Sequence, residues 1–84
     1  MQYSQEIINR LNRIEGQTRG IQKMITEGRE CLDIVQQLKA LQSAARSVSR
    51  ELVRQYLGEC LVRQPSGGDT DINRLLALID QLEE

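Results

Sequence analysis

Residues 29–63 read RECLDIVQQLKALQSAARSVSRELVRQYLGECLVR. Cys31, Val35, Leu38, Leu41, Ala45, Val48, Leu52 and Tyr56 recur at three- and four-residue spacing, and Cys60 closes the stripe. The spacing predicts one helix of about five heptads over 29–63. A helix of that length with a near-heptad stripe needs a coiled-coil-like partner. Its two cysteines, the only two in the chain, return to one helix face within about 20° but stand ~43 Å apart along the axis. One chain cannot use them jointly. An antiparallel second copy would set Cys31 of one chain beside Cys60 of the other. Near the midpoint lie Ser43, Ala44, Ala45 and Ser47, small residues that suit a close two-fold crossing.

Two further helices flank this one. Helix 1 is expected over about residues 4–27, with Ser4 as N-cap and a stripe of Ile7, Leu11, Ile14, Thr18, Ile21 and Ile25. Gly16 and Gly20, four residues apart within it, fit either a close helix approach or plain surface positions. Gly28 follows the last periodic residue and fits a C-terminal stop. Gln64-Pro65-Ser66-Gly67-Gly68 reads as a loop. Asp69, Thr70 or Asp71 then caps helix 3, about residues 70–83, whose stripe is Ile72, Leu75, Leu76, Ile79 and Leu82. No strand pattern appears. The fold class is all-α, a single domain over 1–84.

Composition bounds the function. The 84 residues hold no Trp, no Phe, no His and two Tyr, so a small aliphatic core needs help from oligomerisation. The net charge of −1 hides a gradient: residues 1–26 carry +2, 27–64 carry +1 and 65–84 carry −4. MQYSQEIINR lacks a signal-peptide core and no apolar run approaches the ~18 residues of a membrane span. The chain therefore reads as cytoplasmic with no membrane partner. Thiols there stay reduced, which makes the cysteines ligands, sensors or core filler rather than a static disulfide. With no histidine and no catalytic dyad, the chain does not read as an enzyme.

The thiols differ in setting. Cys31 lies in the first turn of its helix, where free N–H groups and the dipole favour a thiolate. Arg29 adds positive charge and Glu30 offsets some of it. Cys60 is near a helix C-terminus. The pair suits redox or sulfur-transfer chemistry, with Cys31 as nucleophile and Cys60 as resolving partner. Two thiolates also suit Cu(I), but no imidazole exists to complete a trigonal site, and a four-ligand zinc site is not available. Among the basic residues, Arg10, Arg13 and Lys23 share one side of helix 1 with Arg19 flanking, and Arg46, Arg50 and Arg54 recur every four residues. They fit a solvated, salt-bridged face or, repeated in an oligomer, a surface for several phosphates.

Residues 8–28, INRLNRIEGQTRGIQKMITEG, followed by Cys31 and Gln36-Gln37, closely resemble the CsoR/RcnR family of small all-helical bacterial repressors. The likeness covers nearly the whole chain. It implies an antiparallel homodimeric four-helix bundle assembled into a disc-shaped tetramer, a dimer of dimers. Such a tetramer binds double-stranded operator DNA and releases it when an inducer reaches the cysteines. The family's copper site, matched here, falls on Cys31, Tyr56 and Cys60, with Tyr56 where a histidine is needed. The tyrosine and glutamate that couple copper to DNA match Glu30 and a position near Leu76, so both are missing. Nickel/cobalt and formaldehyde sensors also require histidines.

A Cys–non-His–Cys pattern resembles the persulfide-sensing CstR branch, in which facing thiols become bridged by sulfur chains. On that resemblance the inducer is a reactive sulfur species and no cofactor is held. The bridge is an inter-protomer di-, tri- or tetrasulfide between Cys31 and Cys60. The alternative is a Cu(I)-responsive repressor using the same two cysteines. Arg10 and Arg13 match the family's basic motif and Arg46 approximates its helix 2 arginine; with Arg19 and Arg50 they are the expected DNA contacts. A helical adaptor with no DNA role is the competing class.

Overall fold

The computed structural model describes residues 2–62 and 69–82, with side chains described over 2–59 and 73–82. It contains three helices, α1 (Gln5–Thr26), α2 (Cys31–Val62) and α3 (Asp69–Leu82), and no strand among the described residues. None of the helices is long and apolar enough to cross a membrane. The expected loop at residues 64–68 lies outside the described residues, as do the side chains of the candidate caps Asp69, Thr70 and Asp71.

The ends of α1 follow from local chemistry. Ser4 is the N-cap, its extended backbone (φ −69°, ψ 150°) letting its hydroxyl accept from the Ile7 N–H at 3.4 Å. At the other end, Gly28 takes φ +70°, a left-handed conformation that costs a residue with a Cβ ~1–2 kcal/mol. The Gly28 N–H then donates to the Ile25 carbonyl at 3.1 Å and the Arg29 N–H to the Met24 carbonyl at 3.0 Å. This is a complete Schellman motif. α2 begins at Cys31 rather than at Arg29 because Gly28 and Arg29 belong to this turn, and Glu30 is the first residue whose carbonyl accepts a bond from α2. The first bond of α2 runs from the Ile34 N–H to the Glu30 carbonyl at 3.2 Å.

The chain divides into two compact units, one over residues 2–48 and one from Ser49 onward. In the first unit, α1 and the leading part of α2 form a helical hairpin. Its core holds Ile7 and Ile21, 3% and 6% exposed, with Ile14, Met24, Leu41 and Val48 half-buried. The α1 stripe is narrower than the sequence pattern suggested. Ile7, Ile14 and Ile21, seven residues apart, point inward, whereas Leu11 and Ile25 are exposed. Thr18 is exposed too, its hydroxyl donating to the Ile14 carbonyl at 2.9 Å. The reason is geometric: one neighbouring helix covers one seam, and the flanking positions of a wide stripe need a second neighbour. On α2 the uncovered set is larger, with Leu32 68% exposed and Val35 and Leu38 also open. Each such side chain stands to gain about 1.5–3 kcal/mol if buried.

In the second unit, the trailing part of α2 faces α3. Leu52, Val53, Leu57, Leu75, Leu78, Ile79, Gln81 and Leu82 line an apolar groove of about 420 Å³. Leu75 and Ile79 are half-buried there, while Leu76 lies on the exposed side of α3. Leu78, which the stripe omitted, is a groove residue.

Candidate functional site

The two thiols mark the ends of α2. Cys31 is its first residue, free and exposed, and amides of a first helical turn have no intrahelical acceptor. Arg29, the expected positive neighbour, is turned toward Asp33, with the closest guanidinium–carboxylate distance 3.7 Å. Cys60 occupies the last turn of α2; its side chain lies outside the described residues. Tyr56 precedes it by one turn on the same helix face and is half-buried. The helix thus carries the three positions in the order thiol, phenol, thiol, with the first at one end and the other two at the other.

The donor set does not fit a trigonal Cu(I) site of two thiolates and an imidazole, because the chain contains no histidine. Among the described residues no group of three or more His, Cys, Asp or Glu side chains converges as a ligand set. Cys31 and Cys60 stand at opposite ends of α2.

The basic residues fall into three groups. Arg10 is drawn into the hairpin of the first unit. Its Nη1 donates to the Ser47 hydroxyl on α2 at 2.8 Å and its Nη2 to Glu6 Oε1 at 3.1 Å. Its side chain is 35% exposed, against 75% for Arg19. Arg10 and Arg13 line a polar groove of about 620 Å³ between α1 and α2, with Asn9, Gln17 and Ser47 among its other walls. Arg19 pairs with Glu15 at 2.9 Å, an exposed pair that contributes about 0.3–0.5 kcal/mol, and Arg54 pairs with Glu51, whose side chain is only 15% exposed. Arg13, Arg46 and Arg50 are exposed and engage no side chain among the described residues.

The sequence names Arg10 and Arg13 as expected DNA contacts but shows neither the groove that both line nor Ser47 as a partner of Arg10. That link spans 37 positions and leaves no local signal. The small residues of α2 also have a use within one chain. Ala44 and Ser47 face the α1 groove, where short side chains leave room for a guanidinium. Gly16 and Gly20 have no such neighbour, since a Cβ added at either would meet nothing within 4 Å.

Comparison with known proteins places these features in context. Residues 3–81 match the model of a family described as metal-sensitive transcriptional repressors. The chain is 41% identical over 68 residues to the copper-sensing transcriptional repressor RicR of Mycobacterium tuberculosis, a match covering 81% of this chain and 71% of that protein. It is 42% identical over 64 residues to the copper-sensing repressor CsoR of Bacillus subtilis, covering 76% of this chain and 63% of that one. Its fold is similar to that of the copper-sensing repressor CsoR of Geobacillus thermodenitrificans solved with Cu(I). The TM-score is 0.76 at 32% identity, over 100% of this chain and 94% of that one.

Proposed function

The chain belongs to the family of metal-sensitive transcriptional repressors, not to a family of enzymes, and from that premise we propose that it is a DNA-binding repressor induced by reactive sulfur species through Cys31 and Cys60. The observation that carries the proposal is the donor set: two thiols at the two ends of α2, Tyr56 one turn before the second, and no histidine in the chain. A second copy packed antiparallel supplies Cys60 to Cys31. The uncovered Leu32, Val35 and Leu38 on α2 give such a copy apolar surface to bury.

The chemistry balances without a further oxidant. The Cys31 thiolate attacks the outer sulfur of a persulfide RS–SH, forming Cys31–S–SH and releasing RS⁻. The Cys60 thiolate of the facing chain attacks the Cys31 sulfur, breaks its bond to the terminal sulfur and releases HS⁻. Two thiols are oxidised to one bridge while the persulfide is reduced to thiol and sulfide. Polysulfide donors load a longer chain on Cys31; the Cys60 thiolate then attacks the chain sulfur next to the terminal –SH, not the Cys31 sulfur, and expels HS⁻, which leaves a tri- or tetrasulfide. A covalent tie between two α2 helices biases the oligomer toward a shape that no longer matches its DNA. Phosphate contact falls to Arg10, Arg13, Arg46 and Arg50.

A Cu(I)-induced repressor using the same two thiolates is the second reading, favoured by the copper-sensing relatives at 41% and 42% identity. Two inducers added to the protein–DNA complex separate the two, with release followed by fluorescence anisotropy. Release by polysulfide, reversed by dithiothreitol, supports the sulfur switch. Release by Cu(I) alone, with polysulfide inert, supports the copper sensor.

A further inference from the structure

The fold holds Arg10 by two partners from two helices. Glu6, one turn earlier on α1, takes Nη2, and Ser47 on α2 takes Nη1. An arginine on an open helix face samples many rotamers, and ordering them opposes any contact it makes. The Ser47 hydroxyl removes that freedom in advance. It also leaves further N–H donors of the guanidinium free toward the groove that Arg13, Asn9 and Gln17 line. Ala44, one turn before Ser47 on the same wall, is too small to block the approach.

We propose that Ser47 is a positioning residue for DNA binding: it holds the Arg10 guanidinium across the α1–α2 hairpin so that Arg10 and Arg13 together present donors to a DNA phosphate at this groove. The proposal rests on the reading of the chain as a DNA-binding repressor. It adds a residue that carries no charge and touches no nucleic acid itself. Because the hydroxyl sits on α2, the same bond ties the phosphate-contacting arginine on α1 to the helix that carries both thiols.

The test is a double-mutant cycle on the full-length reduced protein. The probe is a fluorescein-labelled mixed-sequence duplex of about 30 base pairs, titrated across salt from roughly 50 to 200 mM, where phosphate contacts dominate. Ser47→Ala is expected to weaken binding about 3- to 10-fold while the slope of log affinity against log salt stays unchanged, since no charge is lost. Arg10→Ala is expected to make that slope shallower by ~0.9 for each copy that meets a phosphate. In the Arg10→Ala background Ser47→Ala should add less than about 2-fold. Ser47→Thr, which keeps the hydroxyl, should bind like the parent. Helical content and oligomeric state, followed by circular dichroism and sedimentation, should be unchanged in all variants. A Ser47→Ala protein that binds like the parent, or one that weakens binding equally with and without Arg10, overturns the positioning role. A parent protein that fails to bind the duplex overturns the repressor reading together with it, so the two failures are distinguishable.

Discussion

Replacing Gly28 by Ala isolates the turn on which the helical hairpin depends. Gly28 sits at φ +70°, and a Cβ there would meet nothing within 4 Å. The cost of the substitution is therefore conformational, not steric. An alanine held in the left-handed region costs about 1–2 kcal/mol, and the reduced freedom of the unfolded chain returns part of this, roughly 0.4–1 kcal/mol. The net loss is about 1 kcal/mol. With a urea dependence of about 1 kcal/mol per molar for a chain of this size, the unfolding midpoint should fall by about 1 M. The two proteins must be compared at equal chain concentration, because assembly adds to apparent stability. Gly20→Ala is the natural control: it lies inside α1, also with open space around its Cβ. The same chemical change there should stabilise by roughly 0.5–1 kcal/mol. Opposite signs support the argument. A Gly28→Ala protein as stable as the parent would refute the strained-turn reasoning, and a destabilised Gly20→Ala protein would show that a second copy covers that position.

Further outcomes follow from individual positions. Ile21→Ala removes a side chain only 6% exposed and should cost about 2–5 kcal/mol, a large share of a small domain's ~5–15 kcal/mol, read as a drop in urea midpoint. Arg13→Ala should weaken binding to any duplex sequence alike and make the salt dependence shallower by ~0.9 for each copy in contact with phosphate; an unchanged slope would remove Arg13 from the interface. Tyr56→His places an imidazole one turn before Cys60, completing a soft three-donor set, and should raise Cu(I) affinity by about tenfold or more in competition with a chromogenic chelator. No gain would mean that position 56 does not face the thiol pair.

How far the sequence could be read depended on the range of the interactions involved. Ser4 and Gly28 work through bonds to residues three to five positions away, so the ends of α1 were legible within a residue. The start of α2 was misjudged by two residues, because Arg29 belongs to the Schellman turn of the preceding helix. Stripe membership was legible only in outline. Leu11 and Ile25 satisfy the helical period as well as Ile14 does, yet a single packed neighbour buries only the Ile7–Ile14–Ile21 seam. At the site, the thiols and Tyr56 could be placed on α2 from spacing alone. The Arg10–Ser47 bond could not, because it depends on how α1 folds back on α2 rather than on any periodicity. The small residues around Ser47 showed that something approaches closely there, and within one chain the Arg10 guanidinium is part of what does.

The central claim is that sulfur, delivered to Cys31, bridges it to Cys60 of a second chain and releases DNA. The most direct measurement is non-reducing intact-mass and peptide analysis of the protein–DNA complex after polysulfide treatment. The expected result is a two-chain species carrying whole-sulfur increments, with the Cys31 and Cys60 peptides joined and the DNA released. Cys31→Ser and Cys60→Ser should each abolish the joined peptide. Single chains with unmodified thiols, still bound to DNA after the same treatment, would contradict the claim.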